Sequence, residues 1–159
     1  RFDNTDRQFN LTKEMHLSGL HNPHASALGE HYCRRWISIS ILQELQNSPI
    51  QKDKVLCKAQ ISDYYDSPNQ YLVIAMARSL SPTPALSSLA IGIKINENTR
   101  KIITFLNDEK IIRKKVGETC ERCSAQDCQE RMNRAFVLEK KRHRQERKQA
   151  IRRILETKK

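Results

Sequence analysis

The sequence contains no run of about 18 apolar residues, so no segment of it is predicted to span a membrane. Its first ten residues are charged and include no apolar stretch, which argues against a secretory signal peptide at this end. An initiator methionine is also missing, and we therefore expect the chain to be a piece of a longer protein. Glycine is scarce, with four residues in 159, and none of them belongs to a Gly-rich phosphate loop.

The sequence likewise lacks paired carboxylates and any nucleophile–base arrangement, and we predict that the protein is not an enzyme. It has five cysteines, an odd number, whereas a secreted disulfide framework favours an even count. We therefore expect a reducing, cytoplasmic location. In that environment clustered cysteines favour metal binding or redox chemistry.

The whole chain has a formal net charge of +11, and the positive charge is concentrated at its C-terminal end. Residues 131–159 carry twelve Lys and Arg against three Glu, a net of +9, which leaves +2 for residues 1–130. Any polyanionic partner would therefore be expected at the basic end and not on the nearly neutral body, and a solvated or oligomerising helix is the alternative interpretation of this end. We divide the chain into a ligand-sensing domain with a metal site, residues 1–130, and a basic C-terminal helix, residues 131–159.

Hydrophobic alternation predicts four successive strands over residues 54–65, 70–80, 88–96 and 100–107, joined as an antiparallel meander. Helical spacing favours a helix around Ile39 to Leu45, and the Gly-free and Pro-free C-terminal segment favours a long helix with Asp127 as its N-cap. The predicted fold class is α+β. We expect an antiparallel sheet of about four to five strands, similar to PAS or GAF sensor domains, with flanking helices and a long C-terminal helix.

Three cysteines are clustered just before the basic end. Cys120, Cys123 and Cys128 follow the spacing C-x2-C-x4-C, which lets thiolates of one turn point at one metal. A zinc ion or an iron–sulfur cluster needs about four ligands, so the fourth must come from elsewhere. Cys57 is in phase with the apolar face of a predicted strand and is expected to be a small buried hydrophobe. Cys33, flanked by charged and polar residues, is the better fourth ligand.

Histidines are weighed as alternative zinc ligands. His16, His21, His24 and His31 are scattered in a loop-like segment near Cys33. One of them could complete a zinc site, but solvated surface histidines are the commoner case. His143 lies in the basic segment and is most simply a surface residue.

The chain resembles the C-terminal sensor domain of the short-chain fatty acyl-CoA regulator (ScfR) family, in which an Xre-type helix-turn-helix precedes this domain. The resemblance rests on the order and spacing of several segments rather than on one motif. The matching segments are RFDNTDRQ, HYCRRWIS with Cys33 and Trp36, QYLVIAMARSL with Ala77 and Arg78, SLAIGIKI, and GETCERCSAQDCQERM with Cys120, Cys123, Asp127, Cys128 and Arg131. The family usually follows its last cysteine motif with Phe-Pro-Pro, whereas this chain continues as a basic, Pro-free segment.

The resemblance implies a transcription factor whose sensor domain binds a short-chain acyl-CoA and carries a [4Fe-4S] cluster. The implied cluster ligands are Cys33, Cys120, Cys123 and Cys128. DNA would be bound through a helix-turn-helix that is not in this chain, and a homo-oligomer is a further candidate assembly. The spacing alone leaves zinc open as the alternative metal.

An acyl-CoA needs an apolar pocket for its acyl and pantetheine groups and cations for its phosphates. The candidate ligand-binding residues are Tyr71, Trp36 and Arg78, and further candidate phosphate contacts are Arg34 and Arg35. Further candidate lining residues of the apolar pocket are Val73, Ala75, Leu89, Ile91 and Ile93. For each apolar residue, plain packing in the core is the commoner role. The alternative function is a zinc-stapled nucleic-acid-binding protein that uses its basic C-terminal helix.

Overall fold

The computed structural model describes residues 1–5, 8–12, 29–48, 55–79 and 85–156 of the chain. A mixed sheet is the main element of this part. Its strands are β1 (Phe2–Thr5), β2 (Gln8–Leu11), β3 (Val55–Tyr64), β4 (Gln70–Ser79), β5 (Leu86–Lys94) and β6 (Ile112–Val116). The helices of the same part are α1 (Ile37–Asn47), α2 (Glu97–Ile102), a 3-10 turn (Thr104–Asn107) and α3 (Phe136–Glu156).

The strands are ordered β2-β1-β5-β4-β3-β6 across the sheet. The predicted hairpin of β3 and β4 and the antiparallel pairing of β4 with β5 are confirmed. The last strand differs, because β6 runs parallel to β3. The α+β class is therefore confirmed, whereas the sheet formed by the described residues has six strands, and it is mixed rather than antiparallel.

Helix α1 covers one face of the sheet and confirms the helix predicted around Ile39 to Leu45. Ile39, Ile41 and Leu42 are completely buried, and they pack against the small residues Ala75 and Ala77 of β4. Small side chains on the strand let the helix approach closely, and the large side chains of the helix fill the space between them. This cluster is the main core.

The opposite face of the sheet is covered only in part. Leu106 of the 3-10 turn packs over Ile61 and Leu72. The predicted fourth strand, residues 100–107, is wrong, because this segment forms α2 and the 3-10 turn. The Asn96 side chain accepts a hydrogen bond from the Thr99 amide at 2.9 Å and so caps a helix at the point where the predicted third and fourth strands would be joined.

The rest of this face carries exposed large apolar side chains, namely Val55, Ile74, Met76, Leu89 and Ile91. Cys57 pairs with Met76 across β3 and β4 and is exposed as well. The expectation that Cys57 is a buried hydrophobe is therefore wrong. It was based on the alternation of β3, which places Cys57 on an apolar face but does not show whether another element covers that face.

Helix α3 begins at Phe136, nine residues after the N-cap predicted at Asp127, and has no buried residue. Residues 131–135 belong instead to the cysteine-containing segment, so the helical part of the predicted region 131–159 starts later than expected. The helix projects from the sheet domain, as its lack of an apolar face between Glu139 and Gln149 predicts. No helix in the described ranges is both long and apolar enough to cross a membrane.

Candidate metal centre

Two segments that are far apart in sequence meet beside the N-terminus of α1. The Cys33 amide donates a hydrogen bond to the Glu118 carbonyl at 3.1 Å, and the Cys120 amide donates to the His31 carbonyl at 2.9 Å. Between these two bonds, Tyr32 forms a β-bridge with Thr119. This short antiparallel pairing places Cys33 next to the segment that holds the other three clustered cysteines.

All four predicted cysteine ligands border one small cavity. Cys33, Cys120 and Cys123 are buried and Cys128 is half-buried. The fifth cysteine, Cys57, lies on the exposed face of the sheet and does not border this cavity. The fold therefore brings together the four thiols that the sequence singled out and leaves the remaining one elsewhere.

Backbone amides donate hydrogen bonds to the sulfur atoms. The Gly117 amide lies 3.4 Å from Cys33 Sγ, and the Met132 amide lies 3.4 Å from Cys120 Sγ. Burial raises the pKa of the Cys33 and Cys123 thiols, while amide donors, including that of Ala125 for Cys123, act in the opposite direction. Such donors stabilise thiolates, and in iron–sulfur sites hydrogen bonds to the sulfurs help to set the reduction potential.

Gly117 is in contact with three parts of the site. Its amide donates to Cys33, and its carbonyl accepts a hydrogen bond of 2.8 Å from the Trp36 indole. A β-carbon at this position would lie 2.8 Å from both Cβ and Sγ of Cys123. Only glycine therefore fits here without displacing the Cys123 thiol.

Arg131 holds the cysteine-containing segment in shape. Its guanidinium donates to the carbonyls of Cys120 at 2.7 Å and Cys123 at 3.2 Å, and also to the carbonyl of Ala125. A planar guanidinium with five donors can bridge several carbonyls that would otherwise point away from any partner. This explains why an arginine follows the last cysteine of the motif.

Two carboxylates fasten the segments from outside the cavity. Glu30 accepts a hydrogen bond of 2.6 Å from the Thr119 hydroxyl and forms an ion pair of 2.8 Å with Arg122. Glu121 is completely buried and accepts hydrogen bonds from the amide and ring of His31. Burial disfavours the Glu121 carboxylate, but the bonds from His31 outweigh it and lower the pKa of this group. His31 is thus bonded to Glu121, and it does not border the cysteine cavity.

Arg34 also borders the cavity. Its guanidinium lies over the Phe9 ring at 4.3 Å, and its buried Nη1 atom has no hydrogen-bond partner among the described residues. Burial lowers the pKa of Arg34 because it disfavours the charged guanidinium. A negatively charged group in the cavity, such as a set of thiolates around a metal centre, would supply the missing acceptor.

In the described ranges, no three His, Cys, Asp or Glu side chains are already arranged to hold a metal ion. Four thiols around one cavity match the donor set of a tetrahedral zinc ion and also that of an iron–sulfur cluster.

The predicted ligand-binding residues are not brought together. Trp36 precedes α1 and bonds Gly117 beside the cysteine cavity. Tyr71 lies at the start of β4, where its ring packs edge-on against Tyr64 with 5.7 Å between centroids. Arg78 lies seven residues farther along β4, on the opposite face and roughly 23 Å away. Tyr71 and Arg78 therefore do not belong to one compact site.

The predicted apolar lining divides in the same way. Val73 pairs with Gly92 across β4 and β5, and Ala75 pairs with Ala90, so these positions share the face covered by α1. Leu89 and Ile91 pair with Met76 and Ile74 on the other face. The lining predicted from the sequence thus occupies both faces of the sheet, because alternation gave the phase of each strand but not the registry between strands.

A second cavity is bordered by Gly117, whose amide donates to Cys33 of the cysteine cavity. It is bordered by Tyr64, Asp66, Ser67, Gly117, Glu118 and Arg122. Burial raises the pKa of Tyr64, which therefore stays protonated. Arg122 is already paired with Glu30, so this cavity is not the cation-rich phosphate site that an acyl-CoA would need.

Sequence reasoning identified the four cysteines but missed Gly117, Glu30 and Thr119. Gly117 could have been noticed as a glycine three residues before the cysteine cluster. The roles of Glu30 and Thr119 depend on pairing between distant segments, for which the sequence carries no local signal. His16, His21 and His24 lie outside the described residues.

Comparison with known proteins identifies no relative, since no protein-family model, curated protein or solved structure matches this chain. Functional inference is therefore based on the site itself and on the resemblance of its motifs.

Proposed function

We propose that this chain is the effector-sensing domain of a cytoplasmic transcriptional regulator. In this proposal Cys33, Cys120, Cys123 and Cys128 hold a [4Fe-4S] cluster, and a short-chain acyl-CoA acts as the effector. DNA binding is carried out by a helix-turn-helix outside this chain. The observation that carries the proposal is the convergence of the four cysteines, from two distant segments, on one cavity.

A bound cluster supplies a cross-link that can be oxidised, reduced or lost. The chain contributes one thiolate from the segment before α1 and three from the segment after β6. Arg131 and the amides of Gly117 and Met132 hold those thiolates in place. Because the cross-link closes a loop that includes most of the sheet, cluster occupancy would be coupled to the stability of the whole domain.

The effector part of the proposal is supported by the resemblance of the motif order to the acyl-CoA regulator family. It also agrees with the lack of catalytic groups in the sequence. Arg34 and Arg35 border the cysteine cavity and provide cations near Trp36. A ligand bound there would contact the same segments that the cluster joins.

Binding of propionyl-CoA to the anaerobically prepared protein tests the effector. We expect saturable binding by titration calorimetry, and a ligand at 100 times its Kd should stabilise the folded state by about 2.7 kcal/mol, which raises the midpoint of thermal unfolding. Free coenzyme A serves as the control, because it has the same phosphates without the acyl group. If propionyl-CoA gives neither binding heat nor stabilisation at millimolar concentration, the effector assignment is wrong.

A further inference from the structure

Helix α3 is an exposed, strongly basic element that the proposed cluster and effector leave unexplained. From Phe136 to Glu156 it contains eight Lys and Arg against three Glu, and none of its residues is buried. Its first turn is joined to the cysteine segment, since the Val137 amide donates to the Glu121 carbonyl at 3.1 Å. Beyond this turn the helix extends away from the sheet.

The charges are segregated around this helix. At about 100° per residue, six of the cations fall within an arc of roughly 140°. These residues, here called the basic face, are Lys140, Lys141, Arg144, Arg147, Lys148 and Arg152. Glu139 and Glu146 lie on the opposite side, and Glu156, in the last turn, lies about 40° beyond Arg152. This cationic stripe presents one sign of charge over about 18 Å of the helix, from Lys140 to Arg152.

The ion pairs of α3 leave the basic face without neutralising partners. Glu146 pairs with Arg142 at 3.6 Å and Glu139 pairs with Arg134 at 3.0 Å, and both arginines lie off the basic face. No carboxylate in the described part of the chain forms an ion pair with any of the six cations. Lys140 has only a cation–π contact with the Phe136 ring, at 5.4 Å. The positive potential of the face is therefore available to an external polyanion.

We propose that the basic face of α3 binds duplex DNA through its phosphate backbone. The helix of 21 residues is about 31 Å long, and its side-chain diameter of about 10–12 Å fits the major groove of B-DNA. The six cations span about 18 Å of this length, a spacing dense enough to face a row of phosphates along the groove. This contact goes beyond the proposed sensing function, because it requires neither the cluster nor the effector.

The sequence of the helix disfavours other partners. Between Leu138 and Ala150 it has no large apolar residue, whereas a helix lying on a membrane needs an apolar face along its length. The same stretch lacks the apolar residues that a coiled coil needs at positions a and d of each heptad. It also lacks the aromatic residues that stack on the bases of single-stranded nucleic acids. Double-stranded RNA is disfavoured because the major groove of its A-form helix is too narrow for an α-helix.

Fluorescence anisotropy with the full 159-residue chain and a labelled mixed-sequence duplex of about 20 base pairs tests the proposal over a series of salt concentrations. The face variant carries Lys140→Gln, Arg144→Gln and Lys148→Gln. The control variant carries Arg134→Gln, Arg142→Gln and Arg153→Gln, which removes the same charge from other positions. Glutamine is a good helix former, so both variants should keep α3 folded, which circular dichroism can verify.

We expect the logarithm of the binding constant to fall with the logarithm of salt concentration at a slope of about −5 for the unmodified chain. The face variant should reduce the magnitude of this slope by about 3 and weaken binding at least tenfold at about 0.1 M salt. The control variant should change binding much less. Equal losses in both variants would show that only bulk charge matters and would overturn the proposal.

Two further measurements distinguish DNA from the other candidate partners, a membrane surface and double-stranded RNA. Vesicles containing phosphatidylserine should not bind more tightly than the duplex, and an RNA duplex of the same sequence should bind more weakly than DNA. Absence of DNA binding at about 0.05 M salt would overturn the proposal. Preference for vesicles or for RNA would overturn it as well and would identify the partner instead.

Discussion

Replacing Cys33 by serine is expected to remove nearly all iron from the protein, although this residue is 84 positions from Gly117, where the cysteine-containing segment begins. A serine hydroxyl is a poor ligand at neutral pH, and three remaining thiolates do not complete the ligand set of the proposed [4Fe-4S] cluster. Iron per chain, measured after anaerobic purification, should fall at least tenfold. Serine at Cys120, Cys123 or Cys128 should have the same effect.

Loss of the cluster should also lower stability. In the chain-entropy treatment, a cross-link that closes a loop of this size contributes on the order of 4–5 kcal/mol to the free energy of unfolding. Urea unfolding of the Cys33→Ser variant under anaerobic conditions measures this difference. Circular dichroism separates loss of the metal from complete unfolding.

Cys57→Ser is the matched control, because Cys57 lies on the exposed sheet face and does not border the cavity. It should keep its iron and its stability. Retention of iron by Cys33→Ser together with its loss from Cys57→Ser would show that the fourth ligand has been assigned to the wrong cysteine.

Replacing Gly117 by alanine is expected to disable the site without removing any ligand. The new β-carbon would lie 2.8 Å from Cβ and Sγ of Cys123, so either the thiol or the backbone must move. Crowding of this kind typically costs about 1–3 kcal/mol, and here it acts directly on a proposed ligand. We expect iron content to fall severalfold and the free energy of unfolding to decrease by that amount.

Gly92→Ala makes the same chemical change in β5 at a position with space. The nearest side-chain atom to its new β-carbon would be Val73 Cγ2, at 4.0 Å, which is an ordinary contact. This variant should retain its iron and be at least as stable as the unmodified protein, because glycine weakens a strand interior. Equal behaviour of the two variants would contradict the role assigned to Gly117.

Much of the fold was predictable because alternation along β3, β4 and β5 is regular. β6 escaped prediction because its five residues include three cations and lie at the edge of the sheet. Residues 100–107 have an apolar content that suits a strand, but the Asn96 cap begins α2 at Glu97, and the segment forms the end of this helix and the 3-10 turn. The pattern of apolar residues alone therefore does not decide between a strand and a helix here, because the capping side chain of Asn96 favours the helix.

In the candidate site, too, local signals could be predicted from the sequence, whereas contacts between distant segments could not. The spacing of Cys120, Cys123 and Cys128 is a local signal, and the polar surroundings of Cys33 distinguished it from Cys57. The contacts of Gly117 and Arg131, in contrast, depend on how the chain returns to the segment before α1. The open apolar face of the sheet could not be predicted either, because strand periodicity does not show which face another element covers.

The most direct test of the central claim is the iron, inorganic sulfide and zinc content of the anaerobically purified protein, taken together with its absorption spectrum. We expect about four iron and about four sulfide per chain, and a brown solution with a broad band at about 400 nm. A colourless protein with one zinc per chain, and no iron after reconstitution with iron and sulfide, would contradict the proposal that these four cysteines hold an iron–sulfur cluster.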